Sequence, residues 1–91
     1  MTLPIEHLPD QGRFQTRVEG LLCVADYRLR PGVMVVTHTE VPPALAGRGI
    51  AGALIQALLD HAAATGLKVE PRCSYADAYM RRHPQTAHLL A

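Results

Sequence analysis

Gly47-Arg48-Gly49-Ile50-Ala51-Gly52, the stretch GRGIAG, has the spacing G-x-G-x-x-G. It lies between an apolar run, MVVTHTEV (34–41), and a helical run, IAGALIQALLDHAAATG (50–66). That spacing is the fingerprint of a dinucleotide-binding turn when a strand leads straight into it and further parallel strands follow. Glu70 even lies about 20 residues downstream, where such a fold holds a ribose hydroxyl. Three observations exclude this reading. Pro42-Pro43-Ala44-Leu45-Ala46 separates the apolar run from the glycines, fewer than twenty residues follow Ser74, and the segments before the turn alternate like a meander. A P-loop is excluded because no Gly-Lys-Ser/Thr follows. What remains is the physics of the turn. A helix start carries unpaired N–H groups and the positive end of the helix dipole, so it attracts phosphate. Glycines at 47 and 49 let the backbone approach a bulky anion. The same turn also fits glycines kept for helix–sheet packing alone.

Working outward, residues 13–18 alternate, with Phe14, Thr16 and Val18 on one side, and Glu19-Gly20 marks a turn. In LLCVADYRLR (21–30), Leu21, Cys23, Ala25, Tyr27 and Leu29 share a face, as a half-buried strand requires. Arg30-Pro31-Gly32 turns the chain into a third strand that ends at Pro42-Pro43, since proline donates no ladder hydrogen bond. Three strands joined by short turns run antiparallel. Ile50, Leu54, Leu58 and Ala62, flanked by Ala51 and Ile55, form an apolar helical stripe that Gly66 stops. LKVEPRCS (67–74) reads as a fourth strand, parallel to the third through a right-handed crossover. A short helix over 76–83 closes before Pro84. Residues 1–11, with Pro4, Pro9 and Asp10, read as a loosely ordered arm. The expected fold is α/β (α+β): a three-strand antiparallel meander, a β-α-β crossover and a short C-terminal helix, all within one domain over 1–91.

With 91 residues the chain has room for one core. Its 48% hydrophobic and 19% charged residues are those of an ordinary globular domain. A net charge of +1 without a dense basic run gives no footprint for nucleic acid. No apolar stretch is long enough to span a bilayer, and MTLPIEHLPDQGRF lacks a signal-peptide layout, so a cytoplasmic protein is expected. Cys23 and Cys73 are far apart and read as free thiols, with Cys23 on a core face. No His, Cys or carboxylate cluster has metal-ligand spacing, and no metal is expected.

The segment THTEVPPALAGRGIAGALIQALLDHAAATGLKVEPRCSYADAYMRRHP (37–84) resembles small single-domain acetyltransferases of the Gcn5-related (GNAT) superfamily, in particular its YjdJ-like group. The likeness runs from the second strand to Pro84. T-E-V-P, the G-x-G turn and P-x-C-S-Y-x-x-x-Y are its most specific parts. One departure is Ala44, where the wider superfamily often has Gln or Arg. The resemblance implies acetyl-CoA (or CoA) as co-substrate, lying where the third and fourth strands splay apart, with Val41, Leu45, Ala46, Gly47, Arg48, Gly49, Ile50 and Ala51 around it. Backbone N–H groups from about Leu45 to Ala51 would hold the pyrophosphate.

Acetyl transfer to an amine needs a neutral amine, a polarised carbonyl and a stabilised leaving thiolate. His38 and Glu40, two apart on a strand, share a face. Glu40 is the first candidate base, directly or through water. His38 is the second, since imidazoles suit proton transfer near neutrality. An ordinary polar strand end is the alternative for both. Cys73 stands where the resembling group also has cysteine. It would attack the thioester covalently, line the acyl pocket during direct attack by the amine, or serve as a small buried hydrophobe. The resemblance implies a tyrosine facing the CoA sulfur; Tyr79 is the candidate and Tyr75 its rival, with core packing the alternative. Arg48, Arg81 and Arg82 are candidates for CoA phosphates. Two functions follow as expectations. One is an acetyl-CoA-dependent N-acetyltransferase acting on a small amine, or on an exposed Lys or N-terminal amine of a peptide or protein. The other is a non-catalytic CoA-binding or protein-interaction module.

Overall fold

The computed structural model describes residues 3–91. Five strands, β1 (Glu6–Leu8), β2 (Arg13–Val18), β3 (Leu21–Arg30), β4 (Val33–Glu40) and β5 (Lys68–Pro71), form one sheet in sequence order. The first four pair antiparallel, and β5 pairs parallel to β4. Helices α1 (Ile50–Thr65) and α2 (Ser74–Arg82) flank β5 in the chain. Single 3-10 turns occupy Pro9–Gln11, Pro43–Leu45 and Pro84–Leu89.

The core follows from the apolar periodicity. Helix α1 buries Ile50, Leu54, Leu58 and Ala62, the stripe read from the sequence, with Ile55 from its flank and Leu59 in addition, while Ala51 is only half-buried. Opposite lie Phe14, Cys23, Ala25, Tyr27, Met34, Val36 and Val69, all in the same cluster. Truncating a fully buried leucine such as Leu54 costs about 2–5 kcal/mol, against a total stability of about 5–15 kcal/mol. Gly66 ends α1 in the left-handed region, and the amide of Leu67 closes the last turn onto the Ala62 carbonyl at 2.9 Å.

Three expectations need correcting. The loosely ordered arm contains β1, so the meander has four antiparallel strands rather than three; residues 1 and 2 lie outside the described residues. Tertiary contacts hold β1 in place. His7 stacks on Phe14 at 4.0 Å, and the buried Thr16 hydroxyl donates to the Pro4 carbonyl at 3.0 Å. The last strand stops at Pro71, and α2 starts at Ser74 instead of 76, because Cys73 caps it: its Sγ accepts the Ala76 amide at 3.3 Å. Beyond Pro84 the chain makes a further turn, and Leu90 bridges to Val69 on the outer edge of β5.

A register shift between β3 and β4 positions the site. Asp26 pairs with His38, but Tyr27 pairs with Val36, leaving Thr37 as an extra residue. Met34 and Val36 face the core before this bulge; Thr39 takes the helix side after it, and His38 and Glu40 turn to the opposite face.

Candidate functional site

The β4–β5 pairing ends at Val36 and Pro71. The amides of Arg72 and Cys73 both donate to the Val36 carbonyl, at 2.9 and 3.1 Å, and the chain then peels away into α2. Strand β4 continues to Glu40 without a partner on that side, which opens a gap between the two parallel strands. At side-chain level one contact crosses it, Thr39 Oγ1 to Cys73 Sγ at 3.3 Å.

The mouth of the gap is the start of α1. Gly47 (φ 81) and Gly49 (φ 78) both take the left-handed conformation, and Gly49 is the N-cap without any side-chain cap. Among the described residues, none of the backbone hydrogen bonds uses the amides of Gly47 through Gly52 as donors. The first bonded amide is Ala53, onto the Gly49 carbonyl at 3.0 Å. Successive unpaired amides in such alternating backbone conformations, capped by a helix dipole, make a concave anion site. Leu45 and Ala46 differ from expectation. Their amides are committed to the carbonyls of Pro42 and Pro43, so the donor run starts at Gly47.

A cavity of ≈ 430 Å³ joins these two features. Val41, Leu45, Ala46, Gly47, Arg48, Gly49, Ile50 and Ala51 all line it, together with Thr39 and Tyr75. It therefore has an apolar trough at the end of β4 and a donor-rich rim at the helix start. An elongated ligand with an uncharged tail and an anionic head suits both ends.

The remaining candidate residues divide. Cys73 is half-buried at the floor of the gap, with its sulfur between the Thr39 hydroxyl and the Ala76 amide. His38 and Glu40 do share a face and touch, Nε2 to Oε1 at 3.1 Å, but they are exposed on the far side of the sheet from the cavity. Tyr79 does not line the cavity. Its hydroxyl donates to Gln56 Oε1 at 2.6 Å, its ring stacks on His83 at 3.9 Å, and burial, with lesser contributions from Tyr75 and Asp60, holds its pKa above the ordinary value. Tyr75, 39% exposed, is the tyrosine on the cavity wall. Both side chains meet Gly52, where a Cβ would sit 3.4 Å from the Tyr75 hydroxyl oxygen and 3.4 Å from the Tyr79 ring. Arg81 pairs with Asp77 at 3.0 Å away from the cavity, and Arg82 does not line it. Cys23 is fully buried, and burial pushes its thiol pKa up, as fits a core residue. Among the described residues no cluster of His, Cys, Asp or Glu is placed to hold a metal. Likewise no helix among them is long and apolar enough to cross a membrane.

Thr39 is the wall residue that sequence reasoning missed. Strict alternation from Val36 assigns it to the outer face, and only the bulge brings it inward.

An antiparallel meander, one helix led in by a glycine turn, and a parallel strand that peels away together make a GNAT-like α+β fold. A family model described as GCN5-related N-acetyl-transferase matches residues 13–89. The chain is 32% identical over 89 residues to protein NATD1 of Mus musculus, covering 93% of this chain and 80% of that one. It is 31% identical over 91 residues to NATD1 of Gallus gallus, covering 96% and 82%. A solution structure of a GCN5-like protein from Staphylococcus aureus superposes with a TM-score of 0.78 at 24% identity, covering 98% of this chain and 88% of that one. The chain belongs to the GCN5-related N-acetyltransferase family.

Proposed function

We propose that the protein transfers an acetyl group from acetyl-CoA to an amine. The observation that carries this is the run of unpaired amides from Gly47 to Gly52 at the mouth of a trough leading to the β4–β5 gap. In this reading the diphosphate of CoA rests on those amides, and the pantetheine arm follows Val41 and Leu45 toward Thr39 and Cys73. The amine nitrogen attacks the thioester carbonyl carbon, the C–S bond breaks, and the leaving sulfur takes a proton. Tyr75 is the donor of that proton, because it lines the cavity while the hydroxyl of Tyr79 is bound to Gln56. Cys73 and Thr39 border the acyl group, and the amine attacks directly.

The acceptor enters from the other face of the sheet. His38 and Glu40 stand there beside the gap, exposed and in mutual contact, and either one relays the ammonium proton to solvent. Their exposure fits an exposed Lys or N-terminal amine of a peptide or protein better than an enclosed small amine.

The test is binding followed by turnover. Acetyl-CoA and CoA should raise the melting temperature and NADH should not; thiol release should then appear with peptide amines. Stabilisation by CoA without thiol release on any amine supports a non-catalytic CoA-binding module. No stabilisation by either CoA species removes the site.

A further inference from the structure

The phosphate turn has a carboxylate beside it that the transfer reaction does not use. Arg48, between the two left-handed glycines, pairs through its Nη1 with Glu19 Oε2, a residue 29 positions earlier. Arg48 stands on the ridge between the main cavity and a second depression of ≈ 340 Å³, to which Val18, next to Glu19, also contributes.

Glu19 is unusual in its backbone. It is the one non-glycine among the described residues with positive φ, at 52°. Val18 pairs with Leu21, so Glu19-Gly20 is a two-residue hairpin loop. Such loops favour Asn, Asp or Gly at this position, and a longer side chain there is strained. Strained residues of this kind cluster at functional sites, and here the strained residue delivers its carboxylate to the turn's own arginine.

We infer that Glu19 sets the affinity of the phosphate turn, holding the Arg48 guanidinium away from the turn amides and placing a competing negative charge beside the diphosphate position. This inference rests on the reading of the turn as the CoA diphosphate site. An incoming diphosphate exchanges with the carboxylate for Arg48. Exposed ion pairs are weak, and Arg48 and Glu19 are 48% and 62% exposed, so the exchange is readily reversible. The ligand's charged end is thereby held less tightly than the bare amides and arginine would hold it, which favours CoA release.

Calorimetric binding of CoA to the wild type, Glu19→Gln and Glu19→Gly tests this, with S-acetyl-pantetheine, which lacks the diphosphate, as competitor control. Both variants should bind CoA about 3–10-fold more tightly at low salt, with the gain shrinking at about 0.15 M salt. Affinity for S-acetyl-pantetheine should not change. Only Glu19→Gly relieves the backbone, so only it should raise the melting temperature. A gain in CoA affinity shared by both variants therefore reports charge rather than loop stability. A wild type that binds CoA while Glu19→Gln binds it equally or less tightly overturns this inference alone. A wild type that binds no CoA removes the site reading and this inference with it.

Discussion

Gly49 and Gly66 cap opposite ends of α1 in nearly the same conformation, φ 78 and ψ 12 against φ 75 and ψ 21. A Cβ added at either would meet no atom within 4 Å. Replacing each with alanine therefore imposes the same backbone strain, about 1–2 kcal/mol for an L residue in the left-handed region. For a domain of this size that lowers the melting temperature by about 5–15 °C in both variants. Their effects on CoA should differ. A methyl at Gly49 projects from the centre of the unpaired amide run. If it displaces the diphosphate from two amides, the loss is two charge-assisted hydrogen bonds at about 1.5–3 kcal/mol each. That amounts to about 3–6 kcal/mol, or an affinity lower by about 10²–10⁴. Gly66→Ala should leave affinity unchanged. Thermal melts and calorimetry on the two variants make the comparison, since instability alone affects both alike. Equal CoA affinity in Gly49→Ala and Gly66→Ala would refute the assignment of the diphosphate to this turn.

Tyr79→Phe should cost about 1 kcal/mol through loss of its bond to Gln56 and leave CoA binding intact, whereas Tyr75→Phe should keep stability within about 0.5 kcal/mol and slow thiol release by about 10²-fold or more; the reverse pattern in melts and rates would return the acid role to Tyr79. Cys73→Ser keeps an acceptor for the Ala76 amide and should fold normally. With direct attack by the amine it should also keep turnover, and mass spectrometry of the wild type at short times after acetyl-CoA should find no acetyl on Cys73. The pKa of His7 is held below 6.5 by burial first and by His61 second, while its Nε2 meets the Tyr27 hydroxyl at 2.6 Å. The unfolded chain then takes up a proton that the folded chain resists, so stability is full above about pH 6.5, falls as pH drops through it, and levels off below the folded pKa. Urea melts from neutral to mildly acidic pH should show a steeper acid limb in wild type than in His7→Gln, and parallel limbs would rule His7 out.

The elements with local signals were legible in the sequence. Gly49 and Gly66 bracket α1 because left-handed ends and a helical apolar stripe are written in adjacent residues. Strand β4 and the parallel step to β5 followed from proline punctuation and the intervening helix. The contiguous part of the cavity wall, Leu45 to Ala51, is the glycine turn and its flanks, whose geometry is local, whereas Thr39 reaches the wall only through the bulge. What escaped depends on partners distant in sequence. Pro4, Pro9 and Gly12 make 1–11 look like a loop, and β1 is held by partners further along the chain: its ladder to β2, the Phe14 ring under His7 and the Thr16 hydroxyl on the Pro4 carbonyl. The choice between Tyr75 and Tyr79 was also hidden. Four residues apart on α2, both meet Gly52, and Gln56 on α1 decides which hydroxyl is taken.

The bulge at Thr37 has the largest functional consequence. In a regular strand, His38 would follow Met34 and Val36 toward the helix, placing an imidazole and a carboxylate in the trough. The extra residue reverses that parity. Thr39, small and uncharged, enters the trough instead, while His38 and Glu40 are exposed on the other side of the gap. A carboxylate inside the trough would lose its hydration and repel an anionic ligand; outside, Glu40 remains solvated, on the side from which the proposed reaction takes its acceptor. The two halves of the proposed reaction thereby occupy opposite faces of one sheet, joined where β4 and β5 part. Deleting Thr37 should therefore exchange those faces, turning His38 and Glu40 into the trough and Thr39 out of it.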